Sequence, residues 1–136
     1  MQHLGLVSVV VRDYDEAIAF YTKVLGFNLI EDTVLDENKR WVVVAPPGAR
    51  ETGVLLARAS TPIQAQRIGD QTGRRVFLFL FTDDLSRDYE RLRQTGVRFT
   101  EQPRRETYGD VVVFEDLYGN RWDLIQPATG AISTGR

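Results

Sequence analysis

The sequence predicts an α+β chain built from two tandem strand-helix-strand-strand-strand modules, and three observations carry that prediction. Asp13 to Gly26 and Asp83 to Gly96 each span thirteen steps, opening on an acidic capping group and closing on glycine plus an apolar residue. Each follows a short apolar run of strand character. The order of elements after each helix also recurs, which marks an internal duplication rather than two unrelated strand-helix pairs.

Leu4 to Val11 is rich in β-branched residues and suits a strand covered on both faces. Asp13 is placed as a helix N-cap with Glu16 three residues on, a capping-box arrangement. Ile18, Tyr21 and Leu25 form an apolar stripe at helical spacing, and Gly26 stops the helix. Phe27 to Leu35 and Arg40 to Ala45 read as strands around the charged turn Asp36-Glu37-Asn38-Lys39. Pro46-Pro47-Gly48 interrupts the pattern, and Thr52 to Ala57 gives a fourth strand.

Residues 58–75 are mixed and polar, and are expected to form a linker with room for one helical turn. Val76 to Phe81 then restarts the pattern as an apolar strand, followed by capping groups at Thr82-Asp83-Asp84 and a stripe at Leu85, Tyr89 and Leu92. Val97 to Thr100, Asp110 to Glu115 and Arg121 to Gln126 supply three more strands. The small, polar tail is expected to be mobile. In the corner Glu115 to Ile125, Gly119 provides the permissive backbone of a tight turn, and Asn120 is read as the next most tolerant of a left-handed conformation. Beyond the turn, strand alternation puts Arg121, Asp123 and Ile125 on one face and Trp122 and Leu124 on the other. An acid therefore stands where a buried sheet would carry an aliphatic.

Composition removes several function classes. With 136 residues, 43% hydrophobic and 26% charged, the chain has the profile of a globular domain with a real core. A net charge of −2 gives no pull toward nucleic acid or an anionic membrane. The absence of cysteine removes disulfides, thiolate nucleophiles and cysteine-ligated metals, and a single histidine, His3, removes multi-histidine sites. No apolar run is long enough for a membrane span and no signal-peptide pattern opens the chain, so a cytoplasmic protein is expected.

The motifs, in order, resemble the vicinal oxygen chelate superfamily, the group of glyoxalase I, bleomycin and fosfomycin resistance proteins and extradiol dioxygenases. Val11-Arg12-Asp13, Ala19-Phe20-Tyr21 and Leu25-Gly26-Phe27 carry the match in the first module. Asp84, Tyr89-Glu90-Arg91-Leu92, Gly96-Val97, Asp116-Leu117-Tyr118-Gly119-Asn120 and Trp122-Asp123-Leu124 carry it in the second. The resemblance covers nearly all of residues 4–126. It implies one glyoxalase-like domain over residues 1–136, with module one at 4–57, the linker at 58–75, module two at 76–126 and the tail at 127–136. In that fold the two modules form a cupped, partly closed barrel around a cavity, usually in a homodimer.

The family's metal site draws one side chain from each of four strands. Carried over by spacing, the first-strand place is Leu6, seven residues before Asp13, and its counterpart, seven before Asp84, is Phe77. The fourth strand of the first module offers Val54, Leu55 and Leu56, and the last strand offers Asp123, four residues after Gly119. Family members use His, Gln or Glu at these places. A divalent ion needs several donors converging at ~2.0–2.6 Å, and one carboxylate does not supply them. No metal and no cofactor are expected. His3 lies ten residues before Asp13, on the opposite parity from Leu6, and reads as a terminal exposed residue.

The ligand places define an inward face of Leu6, Ser8 and Val10, of Phe77, Phe79 and Phe81, and of Arg121, Asp123 and Ile125. Trp41, Tyr108 and the pair Arg104-Arg105 are rim candidates, the arginines reading as a solvated turn. The expected ligand-binding set is thus Leu6, Ser8, Trp41, Phe77, Phe79, Phe81, Tyr108, Arg121 and Asp123, an apolar, aromatic surface with one central acid. Two readings stay open for the phenylalanines, core or ligand wall, and two for Asp123, an ion pair with a residue such as Arg121 or a ligand anchor. An unpaired buried carboxylate would take up a proton. The favoured reading is a metal-independent small-molecule-binding homodimer of the glyoxalase and bleomycin-resistance type. The alternative is a lyase, isomerase or dioxygenase-like enzyme, metal-dependent or using Asp123 as acid or base.

Overall fold

The computed structural model of the protein describes residues 1–129. The polar tail expected from residue 127 falls, from residue 130 onward, outside the described residues. The chain divides into two compact units, Met1–Gln71 and Thr72–Arg136, each with its own sheet and helix. The fold class is the α+β class expected.

In the first unit, β1 (Leu6–Val11) leads to α1 (Tyr14–Ala19) and a π-helical turn (Phe20–Val24), followed by β2 (Asn28–Asp36), β3 (Lys39–Ala45) and β4 (Gly53–Arg58). The sheet order is β1-β4-β3-β2, with β1 parallel to β4 and the other pairs antiparallel. Asp13 caps α1 by accepting the Glu16 amide at 2.9 Å. The expected α-helix to Gly26 instead widens after Ala19. Thr22 Oγ1 donates to the Ile18 carbonyl at 2.7 Å, the acceptor a regular helix assigns to the Thr22 amide. The Leu25 amide then reaches back five residues to Phe20 O at 3.0 Å. Val9, Val11, Tyr21, Val42, Val44 and Leu56 are fully buried; of these, Val9 and Val11 lie, with half-buried Val7, on the face of β1 that alternation places under the helix.

The linker holds α2 (Pro62–Ala65), capped by the Thr61 hydroxyl accepting the Gln64 amide at 3.2 Å. Gln71 closes the unit. Its amide accepts from Val10 N at 3.4 Å and donates to Val10 O at 3.2 Å, so a side chain pairs with the free edge of β1.

The second unit repeats the plan with β5 (Val76–Phe81), α3 (Leu85–Gln94), β6 (Arg98–Phe99), β7 (Arg104–Glu106), β8 (Gly109–Glu115) and β9 (Arg121–Pro127). Its sheet runs β5-β9-β8-β6 with β7 also on β8, and β5 is parallel to β9 as β1 is to β4. Asp84 is the cap of α3, accepting the Arg87 amide at 3.1 Å. Leu85 and Leu92 are buried, as are Val112, Phe114, Trp122 and Leu124 on one face of the sheet, where Trp122 stacks on Phe114 at 5.7 Å.

Two expectations change here. The strand expected at Val97 to Thr100 shrinks to two residues, and Arg104-Arg105, read as a solvated turn, lies in β7. Pairing of Arg104 with Val111 and Arg105 with Asp110 builds a hairpin, and an Arg105–Asp110 ion pair at 3.2 Å lies across it. An edge strand holds its long charged side chains in solvent, so its composition reads as a turn.

Candidate functional site

The corner before β9 decides what the sheet presents. Asp116 Oδ1 accepts the amides of Tyr118 at 3.0 Å and Asn120 at 2.9 Å, while Oδ2 accepts the Asn120 side-chain amide at 2.9 Å. Gly119 has φ +96°, whereas Asn120 is outside the left-handed region. Asn120 thus serves the corner through its side chain, not through the backbone tolerance expected of it. Both Asp116 and Asn120 are buried. This rigid corner fixes where β9 starts, and so which of its residues face which way.

From that start, Asp123 falls opposite Phe79 on β5 and Val113 on β8, and Ile125 falls opposite Phe81 and Val111. Arg104, opposite Val111, belongs to the same face. Asp123 is 7% exposed, and its buried Oδ1 has no hydrogen-bond partner. Beside it Phe79 and Phe81 remain 59% and 45% exposed, and Phe77 is half-buried. The aromatic row therefore does not fill a core of this unit. It stands open around a desolvated acid.

Burial pushes the Asp123 carboxyl above the usual carboxylate range. The positive charge of Arg104 opposes that rise and the negative charge of Glu101 adds to it. Arg104 is itself occupied: its Nε donates to Glu106 at 2.7 Å, its Nη1 pairs with Glu101, and the Tyr108 hydroxyl interacts with it. These partners hold the guanidinium above its ordinary range. Arg121, offered by the sequence as a partner for Asp123, instead donates to the Arg74 carbonyl at 3.1 Å. Among the described residues Asp123 has no ion pair. Arg104 was a rim candidate in the sequence, but its approach to Asp123 was not foreseen and Glu101 was missed, because β7 was not visible as a strand.

Within the first unit, Leu6 and Ser8 share the face of β1 that alternation assigned, opposite Gly53 and Leu55, and both are exposed. Trp41 lies half-buried on β3. His3 is exposed, as expected. The donor set implied for a metal does not fit one: Leu6, Phe77, Val54, Leu55 and Leu56 offer hydrocarbon, and Asp123 alone offers oxygen. Among the described residues no three His, Cys, Asp or Glu side chains gather into a cluster for an ion. No helix among them is long and apolar enough to cross a membrane.

The chain is 57% identical over 126 residues to an uncharacterized protein of Shewanella frigidimarina (strain NCIMB 400), covering 92% of this chain and 93% of that one. It matches the crystal structure of UcmS2 with a TM-score of 0.81 at 32% identity, over 92% of this chain and 98% of the other. It matches TnmS3, an antibiotic binding protein from Streptomyces sp. CB03234, with a TM-score of 0.77 at 34% identity, over 94% and 98%. The family model described as Glyoxalase/Bleomycin resistance protein/Dioxygenase superfamily matches residues 2–124. With two duplicated units, a carboxylate at the last-strand ligand place and these matches, the chain belongs to the glyoxalase/bleomycin resistance/dioxygenase superfamily.

Proposed function

We propose that the protein binds a flat, largely apolar small molecule on the open face of the second sheet, without a divalent metal, and that Asp123 orients it. The observation that carries this reading is the buried, unpartnered Oδ1 of Asp123 beside two exposed phenylalanines. A desolvated polar atom with no partner is costly in a finished core, at about 1–3 kcal/mol, so a carboxylate kept there against that cost supports a role other than packing. The exposed rings supply the area, and the acid supplies direction. The likeness to TnmS3, itself an antibiotic binding protein, supports sequestration of a drug or metabolite as the role.

Three measurements test the reading. Thermal melts with saturating zinc, nickel or manganese are expected to be unchanged, since a specific site would stabilise the folded state by mass action. Native mass spectrometry of freshly purified protein is expected to be free of stoichiometric metal; one bound ion per chain would sink metal independence. Any organic molecule that copurifies is then titrated against wild type and Phe79→Ala. The variant is expected to bind at least about ten-fold more weakly, as loss of a stacked ring predicts. Unchanged affinity would remove the aromatic face from the site.

A further inference from the structure

The first unit contains a separate cavity of about 540 Å³, in the ~300–1,000 Å³ range of small-molecule sites. It originates in a defect of the sheet. β3 stays with β2 as far as the Asp36–Lys39 pair, and β4 stays with β1 as far as Val11–Arg58. Between β3 and β4, however, the register holds only at Val43–Leu55 and Val44–Val54. Two strands that remain paired on their outer sides part from each other in the middle of the sheet.

Tyr14 occupies the parting. It is buried, and its phenol oxygen accepts the Arg40 amide at 3.1 Å, a backbone donor without a ladder partner once the strands diverge. Arg40 and Arg58 lie over the Tyr14 ring at 5.1 and 5.7 Å. The two guanidiniums differ in one respect. Arg40 is neutralised by Asp15 at 2.9 Å and Asp32 at 2.7 Å, whereas Arg58 meets no carboxylate among the described residues and donates to the Asn38 carbonyl at 3.0 Å. Of the acids in the lining, Asp36 is engaged by the Asn38 amide at 2.7 Å and Glu37 stands exposed at the tip of the turn. Trp41, Leu55 and Ala57, all half-buried, supply an accessible apolar wall.

We infer that this cleft binds an aromatic carboxylate, with the ring against Trp41 and Leu55 and the carboxylate on Arg58. A planar guanidinium matches a carboxylate through parallel N–H donors. The half-buried indole gives a ring a surface that the fully polar rim does not. The inference does not draw on Asp123, and its outcome is independent of the function proposed above.

The probe is 2-naphthoate, with the neutral 2-naphthalenemethanol as its comparison, followed by the indole N–H signals in ¹H–¹⁵N spectra. The chain has two tryptophans, so a Trp41→Phe variant assigns them. Naphthoate is expected to move the Trp41 signal to saturation and leave the buried Trp122 signal in place. The alcohol and the Arg58→Gln variant are each expected to weaken binding about ten-fold, the loss of one charge-assisted contact. Arg12→Gln, which removes the same charge from an exposed arginine outside the cleft, is expected to leave naphthoate binding unchanged. A Trp41 signal that does not move, equal affinity for acid and alcohol, or Arg58→Gln behaving like Arg12→Gln would each overturn the inference.

Discussion

Asp123 brings together a cost and an opportunity in one side chain. Its carboxyl is raised above the ordinary range chiefly by burial, so the folded state holds the Asp123 proton more tightly than the unfolded chain does. Between the unfolded value, ~3.9, and the raised folded value, the native state therefore binds more protons. Stability from this group falls as pH rises through that window. Asp123→Asn removes the titration and keeps the shape. In urea unfolding across mildly acidic to neutral pH, the variant is expected to be as stable as wild type or more stable at neutral pH, with a shallower pH slope. A loss of roughly 3–5 kcal/mol would instead reveal a scaffold ion pair broken by the change. The acid and its parity with Phe79 and Phe81 were legible in the sequence, because a period of two and one firm corner fix them. Arg104 was legible only as a rim candidate and Glu101 not at all, since their approach to Asp123 depends on an edge strand whose polar composition carries no strand signal.

The β7–β8 hairpin is the element that delivers those charges, and one glycine permits it. Gly109 has φ +148°, and a Cβ built there would lie 2.2 Å from the Gln126 carbonyl oxygen and 2.9 Å from Pro127 Cα. Both obstacles are backbone of β9, so neither can swing aside. Gly119, at φ +96°, has open space around its would-be Cβ. Gly119→Ala is therefore expected to cost only the backbone term, about 1–2 kcal/mol, while Gly109→Ala costs clearly more and loosens the hairpin carrying Arg104 and Tyr108. Denaturant midpoints of the two variants, compared directly, check the ranking; equal losses would show that β9 gives way to the added methyl. Helices and long strands were readable because their apolar periods run over whole turns or pairs. The widened turn at Phe20–Val24 was not, because the apolar stripe reads the same through it, and its local mark, the Thr22 hydroxyl on the Ile18 carbonyl, lies in one polar side chain.

One strand carries an implication for the assembly. β2 forms the outer edge of the first sheet, and all nine of its residues are exposed. Ile30 is 59% exposed and Val34 70%, with Leu29 and Leu35 also in solvent. A long edge of unpaired backbone bearing aliphatic side chains is a surface that proteins ordinarily cover or blunt with charge. Glu31, Asp32 and Asp36 give it some charge, though Asp32 is already paired with Arg40 at 2.7 Å. The homodimer implied by the family resemblance would cover such an edge by a symmetric contact, in which the same patch serves both copies. Light scattering at micromolar concentration is expected to report roughly twice the 15.5 kDa chain mass. Ile30→Glu puts a charge on a residue already in solvent, so it spares the core of the unit. It is expected to shift the mass toward one chain and, at a fixed protein concentration, to lower the melting temperature as the dimer contribution is lost. A wild-type protein of single-chain mass would refute the dimer. A dimer indifferent to Ile30→Glu would move its interface away from β2, leaving the exposed edge for another occupant.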